Sequence, residues 1–135
     1  MIQKLQTRRG GFTLVEIMIV VAIIALLAAI AVPNFLRARK RSQATRILED
    51  LRMLDSGTDQ YAIENNKTSG ANANMTDLKA YIKTGTVLYS TGEDIFGDSY
   101  GPTFTVDSEL IVPSNAYNSL SDVAPYTFWS PYTTP

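Results

Sequence analysis

The chain has 135 residues, with 12 basic and 13 acidic side chains and a formal net charge of −1. It contains no cysteine and no histidine, which excludes disulfides and cysteine nucleophiles and removes the commonest general base and zinc ligand. Because the charges nearly balance, an overall basic surface for nucleic acid is not expected. We therefore expect one small domain that is neither an enzyme nor a nucleic-acid-binding protein.

The first eleven residues form a basic leader. They hold three of the 12 basic side chains and no acidic one, and they end in Gly10-Gly11. Such a segment is too short to fold by itself, and its charge favours a cytoplasmic N-terminus. Since four more cations follow the next segment, at residues 37–41, charge alone does not settle the orientation.

An apolar segment follows the leader and covers residues 12–32. Glu16 is its only charged residue, and the run from Ile17 to Val32 also lacks glycine and proline. About 20 apolar residues span a bilayer as a helix, in which a lone carboxylate costs roughly 2.5–3.5 kcal/mol and usually faces a protein partner. A cut after Gly11 would create an ammonium on Phe12 that can neutralise Glu16, within one subunit or between neighbours.

The residues around this junction carry a resemblance to a known family. Arg8-Arg9-Gly10-Gly11 followed by Phe12-Thr13-Leu14-Val15-Glu16, with Pro33 after the apolar run, resembles the class III signal of type IV pilins and type II secretion pseudopilins. The resemblance implies that a prepilin peptidase cleaves after Gly11 and that the new amino group of Phe12 is methylated. It also implies that Glu16 contacts the N-terminus of an adjacent subunit in a filament, and that Pro33 kinks the helix.

The same resemblance implies a cellular route for the chain. The subunit would cross the bacterial inner membrane once, with its N-terminus cytoplasmic and its head periplasmic. It would then join other copies and minor pilins or pseudopilins at an inner-membrane assembly platform, in a homo-oligomeric filament in the periplasm or at the cell surface.

Two other interpretations share part of this pattern. A basic start, an apolar core and the small residues Ala29-Ile30-Ala31 also describe an ordinary secretory signal peptide. An uncut transmembrane anchor would have the same span. Neither explains Glu16 or the Gly-Phe-Thr-Leu sequence at the junction, so we favour the pilin-like interpretation.

The second half of the predicted helix, residues 34–66, has a different pattern. Its apolar residues recur at steps of three and four, which is typical of an amphipathic helix with one buried face. They are Ala44, Ile47, Leu48, Leu51, Leu54, Tyr61 and Ala62. Asn65 and Asn66 favour a helix end, and we expect the apolar stripe to pack on a globular head formed by residues 67–135.

The head is expected to contain three or four antiparallel strands, which together with the long helix gives an α+β, pilin-like fold. The patterns predict a loop at 67–74, a short helix from Thr76 to near Gly85, strands at 86–90, 100–106 and 109–112, and an irregular aromatic tail at 117–135. Because so small a head needs aromatic burial, we expect the tail to complete the core rather than to form a contact surface.

Three further features of the head bear on function. The stretch from Asp94 to Tyr100 is similar to the Asp-Pro-Trp-Gly-Asn-Pro-Tyr stretch of major pseudopilins. The weak calcium candidates are Asp94, Asp98, Asp107 and Asp122, but the chain has no glycine after Gly101 and so lacks the Asp- and Gly-rich calcium loop of those proteins. Solvated acids and no cofactor are therefore the preferred interpretation. The basic cluster at 37–41 is interpreted as a solvated or intersubunit face.

These observations together predict a structural subunit of a filament. The absence of cysteine and the Asp94–Tyr100 stretch favour a pseudopilin over a pilus subunit. An alternative from another class is a signal-anchored or secreted binding module that does not polymerise.

Overall fold

The computed structural model describes residues 10–135, so most of the predicted leader, residues 1–9, lies outside the described residues. A single long helix, α1, runs over Leu14–Glu64 and confirms the predicted helix. The described chain divides after Leu36 into two units. The first holds the apolar part of α1, and the second holds the remainder of α1 together with the head.

Pro33 lies inside α1, which remains helical on both sides of it. A proline has no N–H, so the carbonyl of Ala29 loses the donor that a normal helix would supply. The helix nevertheless continues without a melted turn. The kink at this position remains a prediction.

The head is built from short elements that follow α1. They are β1 (Asn72–Asn74), α2 (Met75–Leu78), α3 (Val87–Thr91), β2 (Thr103–Thr105), α4 (Ser114–Leu120) and a 3-10 helix (Tyr126–Trp129). The strands pair antiparallel, with Ala73 opposite Phe104. The α+β class with a small antiparallel sheet is confirmed, but the sheet has two strands among the described residues instead of the three or four expected.

The predicted strand at 86–90 is wrong, because that segment forms α3. The Oγ1 of Thr86 accepts a hydrogen bond from the N–H of Tyr89 at 3.1 Å, which caps the helix start. Gly92 ends the helix in the left-handed conformation, with φ of 75°. The local capping residues therefore outweigh the strand preference of the β-branched Thr86 and Val87.

The other predicted strands are also shorter than expected. The strand at 100–106 is reduced to β2, because Pro102 cannot donate a ladder hydrogen bond. The segment at 109–112 makes only one bridge, from Ile111 to Thr133. The partner of β2 is β1, which lies in the segment predicted to be a loop.

The helical content of the head also differs from the prediction. The helix expected from Thr76 to near Gly85 is only one turn long, as α2. The tail at 117–135 is not irregular throughout, since it includes the end of α4 and the 3-10 helix. The end of α1 matches expectation. Asn66 adopts φ of 50°, and the N–H of Lys67 donates to the carbonyl of Ala62 at 2.8 Å.

The amphipathic stripe of α1 forms the floor of two apolar clusters in the head. Ala44, Ile47, Leu48 and Leu51 pack with α4, the tail and the segment before α4, where Val112, Ala116, Leu120, Ala124, Trp129 and Tyr132 are also buried. Leu54 packs with Ala73, Leu78, Ile82, Leu88 and Phe104 around the sheet, α2 and α3. The predicted packing of the stripe on the head is confirmed.

Candidate functional site

The candidate site is the start of α1, where Thr13 and Glu16 hold each other by two hydrogen bonds. The N–H of Thr13 donates to Oε2 of Glu16 at 3.0 Å, and the N–H of Glu16 donates to Oγ1 of Thr13 at 3.2 Å. This reciprocal pair is a capping box, which satisfies two N–H groups that have no partner inside the helix.

Glu16 therefore has a role within a single subunit that our sequence analysis missed. The signal was present, because Thr13-x-x-Glu16 has the spacing of a capping box. A carboxylate in the first helical turn also interacts favourably with the positive end of the helix dipole. The capping box holds the Glu16 carboxylate against the N–H of Thr13, the residue that follows Phe12.

The junction that precedes the cap is open to solvent. Gly10 and Gly11 are exposed, and a Cβ added at either residue would meet no atom within 4 Å. The side chain of Phe12 is 86% exposed. The peptide bond between Gly11 and Phe12 is therefore unobstructed by the described part of the chain.

The apolar part of α1 exposes its side chains on every side. From Ile17 to Val32 the large apolar residues are each 48–65% exposed, and the helix is long and apolar enough to cross a membrane. So large a continuous apolar surface is not stable in water and marks a site of contact with lipid or protein.

The four calcium candidates do not converge. Asp94 and Asp98 share one turn, and Asp107 is exposed at the turn after β2. Both carboxylate oxygens of Asp122 instead accept a hydrogen bond from Nζ of Lys40, at 3.0 Å each. Within residues 10–135, no group of three or more acidic side chains is placed to hold a metal ion.

The Asp94–Tyr100 stretch forms a turn that is anchored to α1 and buries Asp94. Asp94 is 1% exposed, and its Oδ1 accepts the N–H groups of Phe96 at 2.7 Å and Asp98 at 2.9 Å. Its Oδ2 has no partner among the described residues, and burial raises the pKa of this carboxyl. The hydroxyl of Tyr100 donates to Asp50 on α1 at 3.1 Å. The geometry gives this stretch a structural role.

The aromatic tail packs into the core, as expected. Trp129 and Tyr132 are buried, and the indole N–H of Trp129 donates to the carbonyl of Ala124 at 3.1 Å. Tyr126, which is 69% exposed, is the exception. The tail thus completes the head.

Comparison with known proteins supports the importance of the N-terminal segment. Residues 6–32 match the family model described as the prokaryotic N-terminal methylation motif. The chain is 39% identical over 80 residues to the type IV wide pilus major component PilA4 of Thermus thermophilus. It is 40% identical over 68 residues to the type IV major pilin protein PilA of Myxococcus xanthus, and 37% identical over 60 residues to the type II secretion system core protein G of Pectobacterium carotovorum.

These matches are partial. They cover 59%, 50% and 44% of this chain, and 61%, 31% and 38% of the three relatives in the same order. No solved structure matches the chain. The methylation motif, the pilin and pseudopilin relatives and the α+β fold agree with one another, and none of these proteins is described as an enzyme. The chain thus carries the N-terminal methylation motif over residues 6–32, and over about half of its length it is similar to type IV pilins and type II secretion pseudopilins.

Proposed function

We propose that the chain is a structural subunit of a type IV filament-like assembly. Residues 1–11 are removed as a leader by a prepilin peptidase, and the new amino group of Phe12 is methylated. Residues 12–33 then form the filament core, residues 34–66 carry the head on their amphipathic face, and residues 67–135 form that head.

The exposed apolar surface of α1 is the observation that carries this proposal. No residue from Gly10 to Arg39 is buried in the isolated subunit. Lipid can cover this surface before assembly, and the same segments of other subunits can cover it afterwards, because an all-round apolar helix is suited to both environments. We infer a single inner-membrane span with the head periplasmic, followed by assembly with other copies, minor pilins or pseudopilins and a membrane platform.

The charge of Glu16 fits the assembled state better than the inserted state. In hydrocarbon a carboxylate is costly, and the capping box supplies it with one N–H donor and no positive charge. After cleavage, the ammonium of Phe12 on an adjacent subunit supplies that charge in a site of low dielectric. Pairing of this kind also sets the axial register of apolar helices that otherwise slide freely.

The relatives include both pilus subunits and a type II secretion protein. We propose the pseudopilin role first, on the grounds of the cysteine-free chain and the turn at Asp94. A pilus subunit is the second candidate, because the relative from Thermus thermophilus matches over the longest stretch of these three. Secretion genes beside this gene would favour the first role, and pilus genes the second.

Intact mass and N-terminal sequencing of the membrane-extracted protein test the processing step. We expect a mature chain that begins at Phe12 and carries one added methyl group. Replacing Gly11 with a bulky residue should leave the precursor in the membrane, whereas Gly10→Ala serves as the matched control on the neighbouring glycine.

Two outcomes would contradict this part of the proposal. A mature chain that begins at Val32 would indicate an ordinary secretory signal cut after Ala31. A chain that retains Met1 would indicate an uncut anchor, and a soluble or membrane-bound binding module would then be the better account.

A further inference from the structure

Four basic side chains lie close together on α1 at the start of the second unit. This basic collar consists of Arg37, Arg39, Lys40 and Arg41. Lys40 pairs with Asp122, which is the one ion pair within 4 Å among residues 10–135. The three arginines are exposed and have no carboxylate within 4 Å in the described chain. Because successive helical residues differ by about 100° in direction, Arg37 and Arg41 share one side of α1 and Arg39 lies on the opposite side.

Acidic side chains line a groove higher on the same unit. This acidic groove is bordered by Asp55 and Asp59 on α1 and by Asp107 and Glu109 beyond β2, with Tyr132 beside them. Burial and the neighbouring charge of Asp59 raise the pKa of Asp55, so the groove holds mutually repelling carboxylates. None of them has a cationic partner within 4 Å in the described chain. A cation from outside the subunit would relieve that repulsion.

The two surfaces cannot meet within one chain. Arg39 precedes Asp55 by 16 residues and Asp59 by 20, and the mean separation corresponds to about five helical turns, or about 27 Å along α1. Two parallel copies shifted by that distance would place the collar of one beside the groove of the other. Both surfaces lie on the second unit, so the contact requires no particular arrangement between the two units.

The directions of the side chains also suit a repeating contact. Arg39 points about 160° to 200° away from Asp55 and Asp59 around the helix axis. Arg39 can therefore engage one neighbour while the groove of the same subunit engages another on the opposite side. A contact between two different faces can be repeated from one subunit to the next. When the rotation between subunits does not close into a ring, the repeated contact generates an open filament.

We propose that Arg39, in the basic collar of one subunit, docks in the acidic groove of a second copy of this chain, with the two copies parallel and shifted along α1 by about five helical turns. This proposal rests on the proposed filament function and adds a second contact to it. The pairing of Glu16 with Phe12 joins residues four apart, which corresponds to a shift of only about 6 Å. The two contacts therefore join different pairs of neighbours.

A charge-swap experiment on the full-length chain tests the contact. Arg39→Glu reverses the charge of the collar that faces the groove, and Asp55→Arg with Asp59→Arg reverses the groove. Each of these variants should lower the yield of sheared filaments by about tenfold, because the attraction between Arg39 and the two carboxylates becomes repulsion. The triple variant that combines them should recover most of that loss. Arg46→Glu and Glu49→Arg, at exposed positions between the two surfaces, are the matched controls and should change the yield little.

Cross-linking provides an independent test, because the chain contains no cysteine. Gln43→Cys with Ile63→Cys keeps Arg39 and Asp59, which lie one turn earlier on α1, and places two thiols about 30 Å apart in one chain, beyond the reach of a short bismaleimide. Within filaments, the linker should produce a ladder of dimers, trimers and longer species. Each single cysteine variant should give no ladder.

The outcomes separate this proposal from the one it rests on. If the unaltered chain forms no sheared filaments, the proposed function fails and this contact fails with it. If filaments form but the swaps act no more strongly than the controls, or the ladder is absent, only the contact is wrong. A loss of processed protein from the membrane after collar reversal would assign the collar to lipid headgroups, and it would also overturn the proposal.

Discussion

Trp129→Ala should be among the most damaging single changes in the head. Trp129 is fully buried in the cluster that joins the tail to α1. Its indole N–H bonds the carbonyl of Ala124 at 3.1 Å, and its ring meets that of Phe128 edge to face at a centroid distance of 5.2 Å. The substitution therefore removes core volume, a hydrogen bond and an aromatic pair together.

The expected cost follows from these contacts. Truncating a buried Trp to Ala costs about 3–5 kcal/mol, and a carbonyl left without its donor adds about 1 kcal/mol. Part of the aromatic contribution of about 0.5–1.5 kcal/mol overlaps with the first figure. We expect a loss of about 4–5 kcal/mol, which is most of the stability of a domain this small.

The assay is urea denaturation of a soluble fragment of residues 37–135, which omits the exposed apolar part of α1. Far-UV circular dichroism should be the probe, because the variant lacks the only tryptophan of the chain. Tyr126→Ala, at an exposed site in the same tail, is the control and should cost less than about 0.5 kcal/mol. Equal midpoints for the two variants would refute the claim that the tail completes the core.

Three further predictions concern the same fragment. Leu51→Ala should lower the free energy of unfolding by about 2–5 kcal/mol, because Leu51 is fully buried on the floor of the head; an unchanged melting temperature would exclude it from the core. Burial raises the folded-state pKa of Asp94 above 3.8. The protonated side chain therefore contributes to the stability of the fold below pH 3.8, and this contribution is lost as the pH rises through the folded-state pKa. Asp94→Asn keeps an acceptor for Phe96 and Asp98, and it should reduce the fall in melting temperature above pH 3.8; an identical pH profile would contradict this. Calcium or EDTA should leave the melting temperature nearly unchanged, and a large calcium-dependent rise would reveal a metal site that we do not expect.

The α1 stripe could be predicted from sequence because helical periodicity is a local property. Ala44, Ile47, Leu48, Leu51 and Leu54 are all buried as expected, since each lies on the face set by the 3.6-residue repeat. The strands could not be predicted in the same way. The residues of β1 are Asn-Ala-Asn, which by composition indicate a loop, and they become a strand only by pairing with β2 about 30 residues later.

Local capping decided two further differences between prediction and structure. The residues that form α3 resemble a strand until Thr86 is considered as a helix cap. The capping box of Thr13 and Glu16 was missed for a related reason. A charge inside an apolar segment indicates a partner in another subunit, whereas the spacing of Glu16 from Thr13 also gives the carboxylate a local hydrogen-bonding role. The prediction of a cleavage site between Gly11 and Phe12 rests on the sequence motif alone.

The most direct test of the account is the filament yield of variants at Glu16. Gln can replace Glu in a capping box, so Glu16→Gln keeps the start of α1 and removes only the charge, whereas Glu16→Ala removes both. Cells that express each variant are fractionated, and the processed membrane pool is compared with sheared filaments. The account predicts an intact processed pool for both variants, a sharp loss of filaments for Glu16→Ala, and a yield for Glu16→Gln that is well below that of the unaltered chain. Normal filament yield from Glu16→Ala would contradict the claim that this charge directs assembly.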